Sequence, residues 1–200
     1  ERRKLLACYG ADLVLTPARC GMSGAIEEAR NMASEDPRVL IPDQFSNPGN
    51  PWAHENTTAP EIIEILQGKE DPSAFVAGVG TGGTLTGVAR GLRKRYPHIL
   101  VGAVEPEESA VLSGNSAGIH GIQGIGAGFV PTNCDTSIID RIIAINTEEA
   151  LEKSLWLTRK HGLFCGFSAG ANLAGAMRLL DTGMTGTVIT VAPDGGERYL

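Results

Sequence analysis

Residues 74–79 (AFVAGV), 99–105 (ILVGAVE) and 187–191 (TVITV) are apolar runs bounded by turn residues, too short for helices and too continuously apolar for strands with one wet face. Such runs fit strands buried on both faces, which requires a parallel sheet with helices packed on each side. Segments with helical periodicity separate them, and the alternation extends along the whole chain. Strands are predicted over 12–16, 38–41, 74–79, 99–105, 141–145 and 187–191. Helices are predicted over 1–9, 25–33, 53–66, 82–95, 147–161 and 168–180. Strands alternating with helices imply an α/β fold. Gly10 is placed to end the first helix; Ser23 and Thr147 read as caps, and Ser168 opens the helix to 180. Pro60 should mark a first turn or a kink. A break at 42–51, with three prolines, two asparagines and a glycine, reads as the connection between two lobes. The expected organisation is therefore a lobe within 1–41, a connection over 42–52 and a larger lobe over 53–200, with 107–129 irregular and glycine-rich.

Composition narrows the function classes. The chain has 26 glycines in 200 residues, about twice the usual ~7%, without the Gly-X-Y period of collagen, so they serve turns or close backbone approach. A formal net charge of −6 and the lack of a Lys/Arg block argue against a nucleic-acid surface. No apolar run approaches the ~18–20 residues that span a bilayer. Cys8, Cys20, Cys134 and Cys165 have neither CxxC spacing nor paired histidines, which argues against zinc and fits a reducing cytoplasm. His54, His98, His120 and His161 are scattered, with no Ser or Cys partner at the spacing of a triad. The chain opens on Glu1 in what reads as a helix already under way and stops at Tyr199-Leu200, so it reads as part of a longer protein.

The densest chemical signal is Gly78-Val79-Gly80-Thr81-Gly82-Gly83-Thr84, between a predicted buried strand and a helix. Such a junction aims free backbone N–H groups at one point, with the helix dipole behind them, and phosphate is the usual guest. Three readings compete here. The loop can be a bare β–α turn. Gly78, Gly80 and Gly83 satisfy the dinucleotide pattern G-x-G-x-x-G, with Glu105 ending the next strand. The Thr81 and Thr84 hydroxyls favour instead a cup for the single phosphate of a smaller cofactor. A nucleotide P-loop is excluded, since no Lys-Ser/Thr pair follows the glycines.

Seven segments in order resemble the cysteine synthase (O-acetylserine sulfhydrylase) family of pyridoxal-phosphate enzymes. They are 1–6 with 9–11 (ERRKLL, YGA), 44–51 (QFSNPGNP), 57–62 (TTAPEI), 80–84 (GTGGT), 121–129 (GIQGIGAGF), 166–170 (GFSAG) and 193–200 (PDGGERYL). The resemblance covers essentially the whole chain, outranks the dinucleotide reading, and implies the following. The fold is the two-lobed fold-type II architecture, with this chain as its C-terminal two-thirds, residues 1–41 being the remainder of the smaller lobe and 53–200 the larger, phosphate-binding lobe. The phosphate of pyridoxal 5'-phosphate sits in Gly80, Thr81, Gly82, Gly83 and Thr84, and the Ser168 hydroxyl meets its pyridine nitrogen. A hydroxyl there supports less positive charge than a carboxylate, making the ring a weaker electron sink suited to β-elimination rather than transamination. Gln44 lies near the carboxylate of a small-molecule amino-acid substrate, and 121–128 brings backbone close to the cofactor ring. Each has a plainer structural counterpart: Ser168 as an N-cap, Gln44 as a surface amide, 121–128 as a packed loop.

The implied reaction is β-replacement of O-acetylserine by sulfide, giving cysteine and acetate. A cystathionine β-synthase-type enzyme and an inert phosphate-binding fragment are the alternatives. The resemblance further implies a cytoplasmic homodimer, with serine acetyltransferase as a candidate partner. Two family features have no counterpart: the Ser-x-Lys-Asp-Arg-type motif of the cofactor lysine, matched by none of Lys4, Lys69, Lys94, Lys153 and Lys160, and the Thr/Ser-Gly-Asn-Thr-Gly loop that grips the substrate carboxylate. No catalytic residue is therefore assigned, the chain alone is expected to be inactive, and Asp194 has no assigned role.

Overall fold

The computed structural model describes residues 2–199. Glu1, the first residue of the expected opening helix, and Leu200, the last of the 193–200 motif, lie outside the described residues. The chain divides into two compact units, Glu1–Pro42 and Asp43–Leu200.

The first unit holds α1 (Arg2–Cys8), a 3-10 turn at Ala18–Cys20 and α2 (Gly21–Glu35). None of residues 2–42 is buried. The strands expected over 12–16 and 38–41 do not form. A strand exists only when its backbone groups pair with a neighbour, and neither segment finds one among the described residues. Ser23 is not a cap either: α2 begins at Gly21 with Cys20 in the capping position, which puts Ser23 inside the first turn.

The second unit follows the alternating pattern closely. Its elements are α3 (Gly49–Asn56), α4 (Thr58–Ile65), β1 (Ala74–Gly78), α5 (Gly83–Arg95), β2 (Leu100–Pro106), β3 (Arg141–Ile145), α6 (Thr147–His161), α7 (Phe167–Asp181) and β4 (Val188–Thr190). The helix expected over 53–66 is two helices. Thr57 leaves helical dihedrals and turns its hydroxyl onto Ala53 O at 2.7 Å, and Pro60 then falls in the first turn of α4, where a missing N–H costs nothing. Part of the expected connection is itself helical, because α3 starts at Gly49. Asn146 rather than Thr147 caps α6, its side chain accepting from Glu149 N at 2.9 Å. Glu148 and Glu149 in the first turn, with Arg159, Lys160 and His161 in the last, complement the helix dipole.

The strands form one parallel sheet in the order β3-β2-β1-β4. Ala74 pairs with Leu100 on one side and Val188 on the other, and Gly102 pairs with Arg141. Side chains alternate across this sheet. Phe75 and Ala77 join Leu85, Val88, Leu92 and Val101 in one core. Ala74 and Val76 join Val104, Ile143, Ala171, Ala174 and Leu179 in the other. Close approach explains part of the glycine excess: a Cβ on Gly91 would strike Ala59, and one on Gly175 would come 2.5 Å from Val104 Cγ2. The chain leaves β1 towards β2 on one side, yet returns to β4 on the other. That reversal puts a crevice at the carboxyl end of β1, where ligands bind in open α/β sheets.

Candidate active site

The carboxyl end of β1 is held by Asn172 of α7, which accepts from Gly78 N at 2.7 Å through Oδ1 and donates to Val191 O at 2.9 Å through Nδ2. Val79 then bonds both ways, donating to Val104 O and accepting from Gly126 N, each at 2.9 Å. After Val79 the backbone stops pairing. The N–H groups of Gly80, Thr81, Gly82 and Thr84 make no hydrogen bond to another described residue, and Gly83 N makes only a long one, 3.4 Å, to Thr81 Oγ1.

Gly82 caps α5 at φ +83°, a left-handed conformation that disfavours any side chain, and a Cβ there would come 2.6 Å from Cys134. A Cβ on Gly83 would collide with the Asn50 amide, and one on Gly80 with Gly124 O. The loop is thus pressed against three other segments while its N–H groups stay unpaired at the positive end of a 13-residue helix. That is the geometry of an oxyanion cradle.

Gly124 connects the cradle to Ser168. Its carbonyl lies against Gly80, and a Cβ on it would approach Ser168 Oγ at 3.7 Å. Ser168 as a residue is 2% exposed, and its hydroxyl makes no hydrogen bond to another described residue. A ligand atom at this place would give the hydroxyl the partner that the fold does not supply. Ser168 is not the N-cap of α7; that position belongs to Gly166. The turn is clasped by 194–199: Gly166 N donates to Asp194 O at 3.1 Å, Tyr199 OH donates to Asp194 Oδ2, and the Tyr199 ring stacks on Phe167. Asp194 therefore has a visible structural task.

The two threonines differ. Thr81 Oγ1 accepts from Asn50 Nδ2 at 2.9 Å. Thr84 Oγ1 is engaged by His54, 3.2 Å from Nε2, while His54 Nδ1 lies 3.0 Å from Thr58 Oγ1. Burial lowers the His54 pKa, which favours a neutral ring with one proton for its two threonine neighbours. Thr84 thus offers the loop a backbone N–H. Burial, with the Asp135 carboxylate adding, pushes the Cys134 thiol up to about 11, so the sulfur behind Gly82 stays protonated.

Gln44 is exposed, and its side chain makes no hydrogen bond to a described residue. Its backbone is fixed: Gln44 O accepts from Asn50 Nδ2 at 2.8 Å and from Asn133 Nδ2 at 2.9 Å. The structure thus brings 44–50, 80–84, 124–126 and 168 together. Sequence reasoning missed Asn50, Asn133 and Asn172, the amides that tie these segments. Asn50 stood in a quoted motif, but nothing local in the sequence says which carbonyl an asparagine will hold.

The dinucleotide reading loses its support. Glu105, the acidic residue a dinucleotide site would use, is 2% exposed and occupied by Leu112 N, Ser113 N and Ser113 Oγ at 2.5–3.1 Å. Among the described residues no three His, Cys, Asp or Glu side chains gather as a metal site, and no helix is long and apolar enough to cross a membrane.

An open parallel sheet with a donor-lined cradle at its switch point, and a hydroxyl without a protein partner beside it, defines an α/β protein built around a phosphorylated cofactor. The chain belongs to the family of pyridoxal-phosphate dependent enzymes, whose model matches residues 1–194. It is 47% identical to the cysteine synthase of Staphylococcus aureus over 201 residues, covering all of this chain and 64% of the relative. Among solved structures, the cysteine synthase of Entamoeba histolytica superposes with a TM-score of 0.90 at 41% identity, covering 99% of this chain and 59% of that one. An O-acetylserine dependent cystathionine beta-synthase from Helicobacter pylori superposes with a TM-score of 0.92 at 38% identity, covering 99% of this chain and 64% of that one. The chain thus spans just under two thirds of the length of the relatives it matches. The cofactor fits the residues present: the cradle turns unpaired N–H donors to one place, as a phosphate needs, and Ser168 beside it has a hydroxyl without a protein partner.

Proposed function

We propose that this chain forms the cofactor-phosphate lobe of a cysteine synthase, an enzyme that replaces the acetoxy group of O-acetylserine with sulfide to give cysteine and acetate. The observation that carries the reading is the row of unpaired N–H groups at Gly80, Thr81, Gly82 and Thr84, beside a Ser168 hydroxyl that bonds to no other described residue. Pyridoxal phosphate, when bound, supplies an electron sink for breaking the bond to the leaving group on the substrate's β-carbon. The residues do the rest. The cradle and the α5 dipole hold the phosphate. Ser168 holds the ring nitrogen through a neutral hydrogen bond, limiting the charge the ring carries. Gln44, its carbonyl pinned by Asn50 and Asn133, presents a free amide to the substrate carboxylate.

No lysine of 43–200 bonds to the cradle: Lys94 pairs with Glu55 at 2.6 Å, Lys153 with Glu152 at 3.0 Å, and Lys69 and Lys160 are exposed. The 200-residue chain by itself is therefore inert in this reading. One experiment tests both halves. The chain alone, and the chain joined to the portion of the Staphylococcus aureus cysteine synthase that it does not match, are given pyridoxal phosphate, O-acetylserine and sulfide. The joined protein should form cysteine, and the chain alone no more than free pyridoxal phosphate does. Cysteine from the chain alone would overturn the inert reading. A joined protein that binds the cofactor, ignores sulfide and accepts a larger thiol would favour the cystathionine β-synthase-type alternative, which the Helicobacter pylori likeness keeps in view.

A further inference from the structure

We propose that Asn50 sets the polarity of the phosphate site: it commits the Thr81 hydroxyl to donate towards the bound anion, so that the site takes fully ionised oxyanions in preference to singly protonated ones. The inference rests on reading 80–84 as the phosphate site. Asn50 Nδ2 lies 2.8 Å from Gln44 O and 2.9 Å from Thr81 Oγ1. A carbonyl can only accept, so the nitrogen of the amide faces Gln44, and its second hydrogen goes to Thr81. Gly83 N–H points at the same oxygen from 3.4 Å. A hydroxyl has two lone pairs and one hydrogen. With both lone pairs addressed by donors, and no acceptor for its own hydrogen among the described residues, Thr81 is left as a donor.

The unpaired groups around it are also donors, the N–H of Gly80, Thr81, Gly82 and Thr84. An oxyanion with no proton can use every one of them. A P–OH group brings a hydrogen that finds no acceptor, which leaves a buried donor unmet. Asn50 is thus a positioning residue that acts through Thr81, and the same amide ties the cradle to the backbone of Gln44. Its Oδ1 fills the space where a Cβ on Gly83 would stand, which explains why glycine occupies that position.

The test uses the 200-residue chain, with inorganic sulfate and inorganic phosphate as probes and thermal stabilisation as the measure of affinity. Both are compared at about pH 5.5, where phosphate retains its second proton (pKa about 6 or above for phosphate groups) and sulfate has none. At one pH, His54 behind Thr84 and the Cys134 thiol are in the same state for both anions. The wild type should prefer sulfate. Asn50→Asp places an acceptor where the donor stood, so the Thr81 hydrogen turns to it and the Thr81 oxygen opens to a P–OH. Sulfate affinity should fall by about tenfold or more, the size of one hydrogen bond to a charged group, and the sulfate preference should collapse. Thr81→Val should cost about tenfold in the wild type and less than about twofold in the Asn50→Asp background, since both remove the same donor.

Asn50→Ala adds no charge to the fold and should also lower the ratio of sulfate to phosphate affinity, with a smaller loss for sulfate. An unchanged ratio in both Asn50 variants, or equal costs of Thr81→Val in both backgrounds, would overturn the proposal. A merely structural role for Asn50 would weaken both anions alike and leave the ratio where it was. If neither anion stabilises the wild type, the phosphate reading of the loop fails, and this inference with it.

Discussion

Residues 2–42 and 43–200 start from the same kind of sequence, short apolar runs interleaved with helical periodicity, and end differently. Over 43–200 the runs become a four-stranded parallel sheet with a core on each face. Over 2–42 the helices form, the strands do not, and Val14, Leu15 and Leu40 are 58%, 60% and 87% exposed. The contrast separates two kinds of information. A helix satisfies its backbone within itself, so its signal is local and survives in either unit. A strand makes its ladder hydrogen bonds only to other segments, so DLVLT at 12–16 is only a candidate until a partner edge exists.

The sharpest way to break this comparison is to remove a core side chain where burial is complete. Phe75 is 0% exposed, the second residue of β1, between paired strands on both sides. Phe75→Ala should destabilise 43–200 by about 3–5 kcal/mol, read from urea or guanidinium unfolding. A loss below about 1 kcal/mol would mean that this core is no better packed than the surface of 2–42.

Much of the fold was legible for the reason this prediction is large. Runs such as AFVAGV announce burial on both faces, and helices such as 147–161 carry acidic first turns and basic last turns. The failures have physical causes. Thr147 and Asn146 are both capping residue types, and only the backbone shows that the Asn146 side chain reaches Glu149 N. Ser168 looked like a cap because serine before a small-residue run usually is one, yet Gly166 takes that position and leaves the hydroxyl unpaired. The glycine loop was readable because glycine density at a strand–helix junction has few other uses. The asparagines that hold the loop were not, since Asn50 and Thr81 stand 31 positions apart and only the tertiary fold brings them together.

A medium-sized effect comes from thiols. Cys8 and Cys20 are exposed, whereas Cys134 and Cys165 are buried. Burial pushes the Cys134 thiol from 9.0 up to about 11. An unfolded chain loses that proton first, so between these values the folded state holds more protons and stability falls as the pH rises. Unfolding midpoints measured from pH 8 to 11 should decline more steeply for the wild type than for Cys134→Ala, and the two slopes should converge below pH 9.0. Equal slopes across the range would show that the sulfur behind Gly82 is not held out of water.

The smallest expected effect belongs to Leu15, and its smallness is what makes it informative. At 60% exposure in a segment with no strand pairing, its side chain gives up little contact with water. Leu15→Ala should change the unfolding free energy of the 200-residue chain by no more than about 0.5 kcal/mol, the range typical of surface sites. A leucine in a strand buried on both faces would cost about 2–5 kcal/mol instead. The two values are far enough apart for one denaturation curve to decide between them. A loss of the larger size would mean that 12–16 is packed in solution against a surface the chain supplies, and that cooperatively specified structure reaches further towards the N-terminus than residue 43.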